Sequence, residues 1–396
     1  MTTDAVPGAG SPGEVFRVFL KLGLTSFGGP IAHLGYFRDE LVVRRRWIDE
    51  AGYAELVALC QFLPGPASSQ VGFCLGLRRG GGLAGGLAAW LGFTMPSALA
   101  LVALALGLAA LAGPETQGAL HGLKLVAVAV VAQALWGMAR TLTPDRARAG
   151  IALAALALVT LAGGALGQVA AIAGGAAAGL WLCRVEAATA PAAARPVVSH
   201  PAAIAALAGF AALFLVPALW PGQGPALFGA FYQAGALVFG GGHVVLPLLK
   251  AGVVAPGWVT DEGFLAGYGL AQAMPGPLFT VAAYLGAIAP PAGLAGAAIA
   301  LAGIFLPGLL LVYGALPFWD GLRRRGPAQA AMRGANAAVV GLLGAAFFDP
   351  VWTSAVLGPA DFLLAAAGFL LLTVWSAPPW IVVMLLAAAG LARGLA

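Results

Sequence analysis

The sequence predicts an all-α polytopic membrane protein. It is built from two inverted-topology repeats of about six hydrophobic segments, one linking transmembrane helix between them, and broken or re-entrant helices inside each repeat. Three observations carry this. The 396 residues are 61% hydrophobic and only 9% charged, where an ordinary soluble domain carries about 25% charge. Apolar runs near the length of a bilayer span recur along the whole chain. The motifs of the first half also return, in order, in the second.

The composition excludes several classes at once. Twenty Lys and Arg against 15 Asp and Glu cannot wrap a globule of this size in a solvated shell, so a soluble enzyme, a nucleic-acid-binding module and a disordered chain all fit poorly. Glycine, at 58 residues, is about twice its usual share, as closely packed membrane helices favour. Met1 to Gly13 holds Asp4 and no base, unlike the basic start of a signal peptide. Cys60, Cys74 and Cys183 form no CxxC, and the four histidines show no pairing at helical spacing. No cofactor and no metal site is therefore expected.

After a tail at 1–13, the first repeat covers 14–184, with apolar runs at 14–35, 53–76, 83–112, 118–142, 148–164 and 166–184. The region 185–225 holds a polar, Ala/Pro-rich linker at 185–199 and a connecting transmembrane segment at 201–220. The second repeat, 226–396, has runs at 226–249, 264–287, 293–318, 331–348, 361–376 and 378–394. A shift of 211 positions lays Gln61, Pro64, Gly65 and Pro66 on Gln272, Pro275, Gly276 and Pro277, and Gly92 and Pro96 on Gly303 and Pro307. A shift of 212 lays Phe27-Gly28-Gly29 on Phe239-Gly240-Gly241, and Asp49-Glu50 on Asp261-Glu262.

Basic loops set the orientation of membrane segments. Arg38 and Arg44–Arg46 face a counterpart holding only Lys250; Arg78-Arg79 and Arg140, Arg146 and Arg148 face base-free stretches. Arg323–Arg325 reverses the relation, facing a base-free turn. Where one repeat is basic the other is bare, as halves of opposite orientation require, and the odd linking segment permits the inversion. The Arg44–Arg46 and Arg78-Arg79 loops share a side only if 14–35 and 53–76, with their partners 226–249 and 264–287, dip in and return. Phe27-Gly28-Gly29-Pro30 and Pro64-Gly65-Pro66 supply the breaks, since proline removes a donor and glycine admits dihedrals forbidden to other residues. The N-terminus is then cytoplasmic and the C-terminus outside.

Irregular backbone at membrane depth survives only when buried in protein or lining a wet cavity. Helix breaks there expose N–H groups and the positive end of the helix dipole, a setting for an oxyanion. A single Gly-Gly or Pro-Gly-Pro is ordinary helix packing; both motifs duplicated in register mark a substrate path. The candidate path residues are Phe27, Gly28, Gly29, Pro30, Gln61, Pro64, Gly65 and Pro66, with Gly240, Gly241, Gly242, Gln272, Pro275, Gly276 and Pro277 in the second repeat. His33 and His243 follow the two FGG motifs, and Gln70 follows the first PGP. Thr280 and Tyr284 are weaker candidates just past the second PGP. Lys124, inside an apolar run with no acid nearby in sequence, needs water, a partner, a ligand or a route to the headgroups. Its counterpart is Asn336, and His121 meets Arg333.

The segments FLKLGLTSFGGPIAHLGYF (19–37), QFLPGPASSQVGFCLG (61–76), FGGGHVVLPLL (239–249), QAMPGPLFTVAAYLG (272–286) and FFDPVW (347–352) resemble the paired signatures of the chromate ion transporter family in its long, two-domain bacterial form. FGGG replaces FGGP in the second half. The resemblance implies a multi-pass protein of the bacterial inner (plasma) membrane that exports chromate and gives chromate resistance. It is then a transporter and not an enzyme, with the oxyanion and the lipid bilayer as its partners and no nucleic acid. Sulfate or another small anion remains an alternative cargo. A membrane-embedded oxidoreductase lacks any visible electron carrier. Protons as a coupling ion and a second copy of the chain, as a homodimer, stay open. With the cell interior negative, outward movement of a dianion gains about 4.6 kcal/mol per 100 mV.

Overall fold

A computed structural model describes residues 10–27, 29–110, 114–162, 164–183, 198–239, 244–319, 321 and 325–395. Tail residues 1–9, most of the 185–199 linker, Arg323 and Arg324 lie outside the described residues. Every regular element among them is helical. The first repeat runs α1 (Pro12–Thr25), α2 (Gly29–Phe37), α3 (Glu50–Phe62), α4 (Ala67–Arg79), α5 (Leu83–Ala110), α6 (Pro114–Leu142), α7 (Arg146–Ala162) and α8 (Gly164–Leu182). The link is α9 (His200–Ala212), prolonged by one tighter turn, Leu213–Leu215, and one further α-helical turn to Leu219. The second repeat runs α10 (Gln223–Ala236), α11 (Val245–Leu249), α12 (Asp261–Ala273), α13 (Val281–Ile288), α14 (Gly293–Ala315), α15 (Gly326–Ala346), α16 (Pro359–Thr373) and α17 (Pro379–Leu395).

Among the described residues, the eight helices of the first repeat thus answer to these eight of the second, down to local detail. Both α2 and α11 widen into a π-helical turn, Arg38–Arg44 and Lys250–Val254. Asp49 caps α3 by accepting from the Gly52 N–H, and Thr260 caps α12 by accepting from the Gly263 N–H. These caps sit 211 positions apart, so Glu50 answers to Asp261, and the Asp49-Glu50 match to Asp261-Glu262 is one residue out of structural register. Arg38 pairs with Glu50 at 2.6 Å and Lys250 with Asp261 at 3.6 Å, the same tie from π turn to helix start in each half.

The four segments expected to break are broken. Helix α1 has 14 residues, α3 and α4 have 13 each and α13 has 8; at 1.5 Å per residue each falls short of the ~30 Å hydrocarbon core. Among the described residues, five stretches are long and apolar enough to cross it: Leu83–Gly107, Gly118–Leu142, His200–Leu219, Gly293–Phe318 and Gly326–Ala355.

Packing follows the duplication and then exchanges across it. Helix α1 lies along α5 as α10 lies along α14, and α4 packs on α5 as α13 packs on α14. The sixth helix of each repeat instead packs into the other repeat: α6 against α16 and α17, α15 against α7 and α8. Small residues let these backbones touch. A Cβ on Gly122 would meet the Leu386 backbone and the Ala387 Cα at 2.8 Å, while Gly390 faces Gly122. The equivalent pair is Gly334 and Gly179, where a Cβ on Gly179 would sit 2.8 Å from the Gly334 Cα. The exchange is incomplete, because α12 also packs on α6 and α17 whereas α3 makes no comparable contact with α15 or α8.

Candidate substrate path

The breaks in the short helices meet in reciprocal pairs. Helix α1 closes with the Ser26 N–H donating to the Leu22 carbonyl, and the chain then turns away. The freed Ser26 carbonyl accepts from the Gly276 N–H at 2.9 Å. In the other half, the Val238 carbonyl accepts from the Gly65 N–H at 2.7 Å. The break before FGG in each repeat therefore joins the PGP of the other repeat, not of its own.

Pro-Gly-Pro suits this junction chemically. Neither proline has an N–H, so the central glycine is the tripeptide's one backbone donor, and it is spent on the crossing. Its φ is +123° at Gly65 and +92° at Gly276, values that side chains other than hydrogen rarely adopt. Space is also short. A Cβ on Gly65 would lie 2.8 Å from Gln70 Nε2 and 2.9 Å from the Gly308 Cα; on Gly276 it would meet the Phe93 carbonyl at 3.0 Å and Ser97 Oγ at 3.1 Å. Gly308 and Ser97 answer to each other in the duplication, so both turns rest on the same place of α14 and α5.

Gln70, fully buried, braces the first junction. Its Nε2 donates to the Pro64 and Gly308 carbonyls, both at 2.9 Å. His33, 1% exposed on α2, has Nδ1 3.4 Å from Ser68 Oγ on the first turn of α4, and its ring stands edge-on to Phe93 with centroids 5.3 Å apart. Helix α4 starts at Pro66 with no side-chain cap. The structure thus brings Pro64, Gly65, Pro66, Gln70, His33 and Gly276 into one buried neighbourhood, with half-buried Phe27, Gly29 and Pro30 beside the break and Pro275 and Pro277 flanking Gly276. Gly28, Gly240, Gly241, Gly242 and His243 lie outside the described residues.

Other candidates take no part in the two crossing bonds. Gln61 is exposed on α3. Gln272 bonds the Tyr268 side chain. Thr280 turns its hydroxyl back to the Pro277 carbonyl at 2.8 Å, and Tyr284 packs its ring on Gly267. Asn336 keeps a buried carbonyl oxygen without a partner on α15. Lys124 finds its partner 138 residues away, Glu262 Oε1 at 3.5 Å on the first turn of α12. His121 pairs with Asp361 at 3.0 Å. Arg44 and Arg45 both hold the buried Glu40 carboxylate, at 2.7 and 2.8 Å, with Lys21 at 3.2 Å. Cys60, Cys74 and Cys183 are free thiols buried in the packing.

Sequence reasoning passed over Ser26, Ser68, Ser69 and Thr94, all 3% exposed or less. The signal was there in Ser68-Ser69, two hydroxyls directly after PGP in an apolar segment.

The chain has relatives throughout its length. The sequence pattern of the chromate transporter family matches twice, at residues 13–180 and 225–391. A chromate transport protein of Pseudomonas aeruginosa is 34% identical, in an alignment covering 100% of this chain and 94% of the relative. A probable chromate transport protein of Synechococcus elongatus is 30% identical over 77% of this chain and 76% of the relative. An uncharacterized transporter of Methanocaldococcus jannaschii is 32% identical over 30% of the chain. No solved structure matches the chain. With both halves matched and two relatives aligned over most of its length, the chain belongs to the chromate transporter family.

Proposed function

We propose that this protein exports chromate from the cytoplasm across the bacterial inner membrane, giving chromate resistance, and that its cargo passes the crossings of FGG and PGP. One observation carries the reading: helices broken at duplicated motifs meet reciprocally, Gly65 on Val238 and Gly276 on Ser26. Broken helices meeting at the interface of two repeats are where transporters hold substrate, with helix ends serving in place of charged side chains. The repeats are of opposite orientation, so exchanging their roles would move access from one side to the other. The closer packing of α12 on α6 and α17, tied by Lys124 and Glu262, against the separate α3, is then one end of that exchange. The membrane potential, or coupling to protons, drives export. Sulfate or another small anion is the second reading, because the junction recognises the tetrahedral dianion rather than its central atom.

The test is chromate uptake into inside-out vesicles from cells making the protein, under an imposed potential positive inside. Uptake above a vector control that collapses with the potential and resists excess sulfate supports chromate export. Uptake abolished by sulfate favours the second reading, and no excess uptake refutes both.

A further inference from the structure

The duplication kept both crossings, but among the described residues it kept the buried polar side chains beside them in the first repeat only, at the six pairs of positions that follow. Ser26 and His33 answer to Val238 and Val245 at a shift of 212 positions, and Ser68, Ser69, Gln70 and Thr94 answer to Phe279, Thr280, Val281 and Phe305 at 211. All twelve are buried. Of the second set only Thr280 is polar, and its hydroxyl is used up on the Pro277 carbonyl. In the first set the opposite holds: Ser26 Oγ, His33 Nε2, Ser69 Oγ, Gln70 Oε1 and Thr94 Oγ1 have no hydrogen-bond partner among the described residues.

Buried polar groups without partners are costly, on the order of 1–3 kcal/mol each, and native structures hold few of them. Several in one place ask for a reason, and their location supplies one. Ser69 is on the uncapped first turn of α4, whose 13 residues end in an N-terminal dipole charge. His33 Nδ1 is against Ser68 on the same turn. When the Ser68 hydroxyl donates to Nδ1, the ring proton sits on Nε2, which has no side-chain partner among the described residues. The Ser26 carbonyl, which holds Gly276, is also the backbone acceptor nearest that ring. Every unpaired hydroxyl and imidazole N–H here can donate, and no charged side chain among the described residues pairs with them.

We infer that the protein has a single oxyanion site, made by side chains of the first repeat only, formed by the N-terminus of α4 with Ser69, Ser26 and His33; the equivalent positions of the second repeat, Val238, Val245, Phe279, Val281 and Phe305, are an apolar counterpart that seats no anion. Thr94, on the face of α5 below the Gly276 turn, adds a further hydroxyl. The ligand class is a tetrahedral dianion that accepts several hydrogen bonds at once. This deepens the proposed function and rests on it for the direction of transport, not for the site itself.

The test is anion binding to the purified full-length protein by calorimetry, with chromate, sulfate, molybdate and phosphate as probes. Unliganded thermal stability of each variant is the folding control. Ser69→Ala and His33→Gln each weaken the best-bound anion by about tenfold to a hundredfold, the range of a hydrogen bond to a charged partner. The mirror variant Thr280→Ala stays within about twofold. Equal losses in Ser69→Ala and Thr280→Ala overturn the one-sided site, as does wild-type binding in both Ser69→Ala and His33→Gln. A wild-type protein that binds none of the four anions also overturns it. A wild type that binds sulfate or molybdate but not chromate refutes the chromate reading, and the same variants then test the site with that anion.

Discussion

Gly65→Ala is the perturbation whose consequence follows most directly from the geometry. The backbone there has φ +123°, and holding alanine in such a conformation costs about 1–3 kcal/mol. The new Cβ would stand 2.9 Å from the Gly308 Cα, a helix backbone that cannot swing aside, and 2.8 Å from Gln70 Nε2. Relief requires the turn to shift. That loosens the Gly65 N–H bond to Val238 and disturbs the Gln70 bonds to Pro64 and Gly308, at roughly 1 kcal/mol for each bond lost. Together these come to about 4–6 kcal/mol if all three bonds go, a large part of a typical folding stability of about 5–15 kcal/mol. The assay is thermal unfolding of purified protein in detergent, followed by loss of the monodisperse peak, with an expected fall on the order of 5–10 °C. Gly276→Ala meets its neighbours at 3.0 and 3.1 Å and should lose less. Gly107→Ala, on α5 with nothing within 4 Å of the added Cβ, should be unchanged or slightly more stable. If Gly65→Ala melts with Gly107→Ala and wild type, the crossing does not depend on glycine and the reasoning fails.

Other outcomes follow from the cross-repeat contacts. Glu262→Gln strands the buried Lys124 ammonium and should destabilise more than Lys124→Gln does. The exchanged pair Lys124→Glu with Glu262→Lys should recover part of the loss, in a double-variant cycle read by thermal unfolding. Asp361→Ala removes a 3%-exposed carboxylate that both holds His121 and accepts the Leu357 N–H at 3.0 Å. About 2–3 kcal/mol should go with it, against less for His121→Ala, and equal losses would refute the capping role. Gly334→Leu should wedge α15 from α8 and abolish the monodisperse protein. Gly137→Leu, on open space in α6, should leave it intact.

Much of the fold was legible because membrane burial writes itself into composition and because duplication repeats its motifs. Broken helices could be placed at FGGP and PGP because the basic loops require those segments to turn back and the covalent limits of proline and glycine say where. What the sequence did not reveal is partnership. Nothing local says that Gly65 reaches Val238 rather than its own FGG, or that Lys124 meets Glu262, because those contacts close loops of well over a hundred residues. The one-residue slip near Asp49 was hidden for a related reason: identical Asp-Glu pairs attract an alignment, whereas the caps made by Asp49 and Thr260 fix the true register. Ser26, Ser69 and Thr94 were passed over because a serine in an apolar segment reads as a small packing residue. Only the hydrogen-bond geometry separates a hydroxyl satisfied by its own helix from one left waiting.

The most direct measurement of the central claim is chromate flux through the purified protein in sealed proteoliposomes, followed as a function of imposed potential. The account predicts chromate movement that needs no other protein, reverses with the sign of the potential, and at low chromate falls about tenfold or more in Ser69→Ala but not in Thr280→Ala. A correctly folded wild-type protein that leaves the chromate gradient undisturbed at every potential and proton gradient would contradict it.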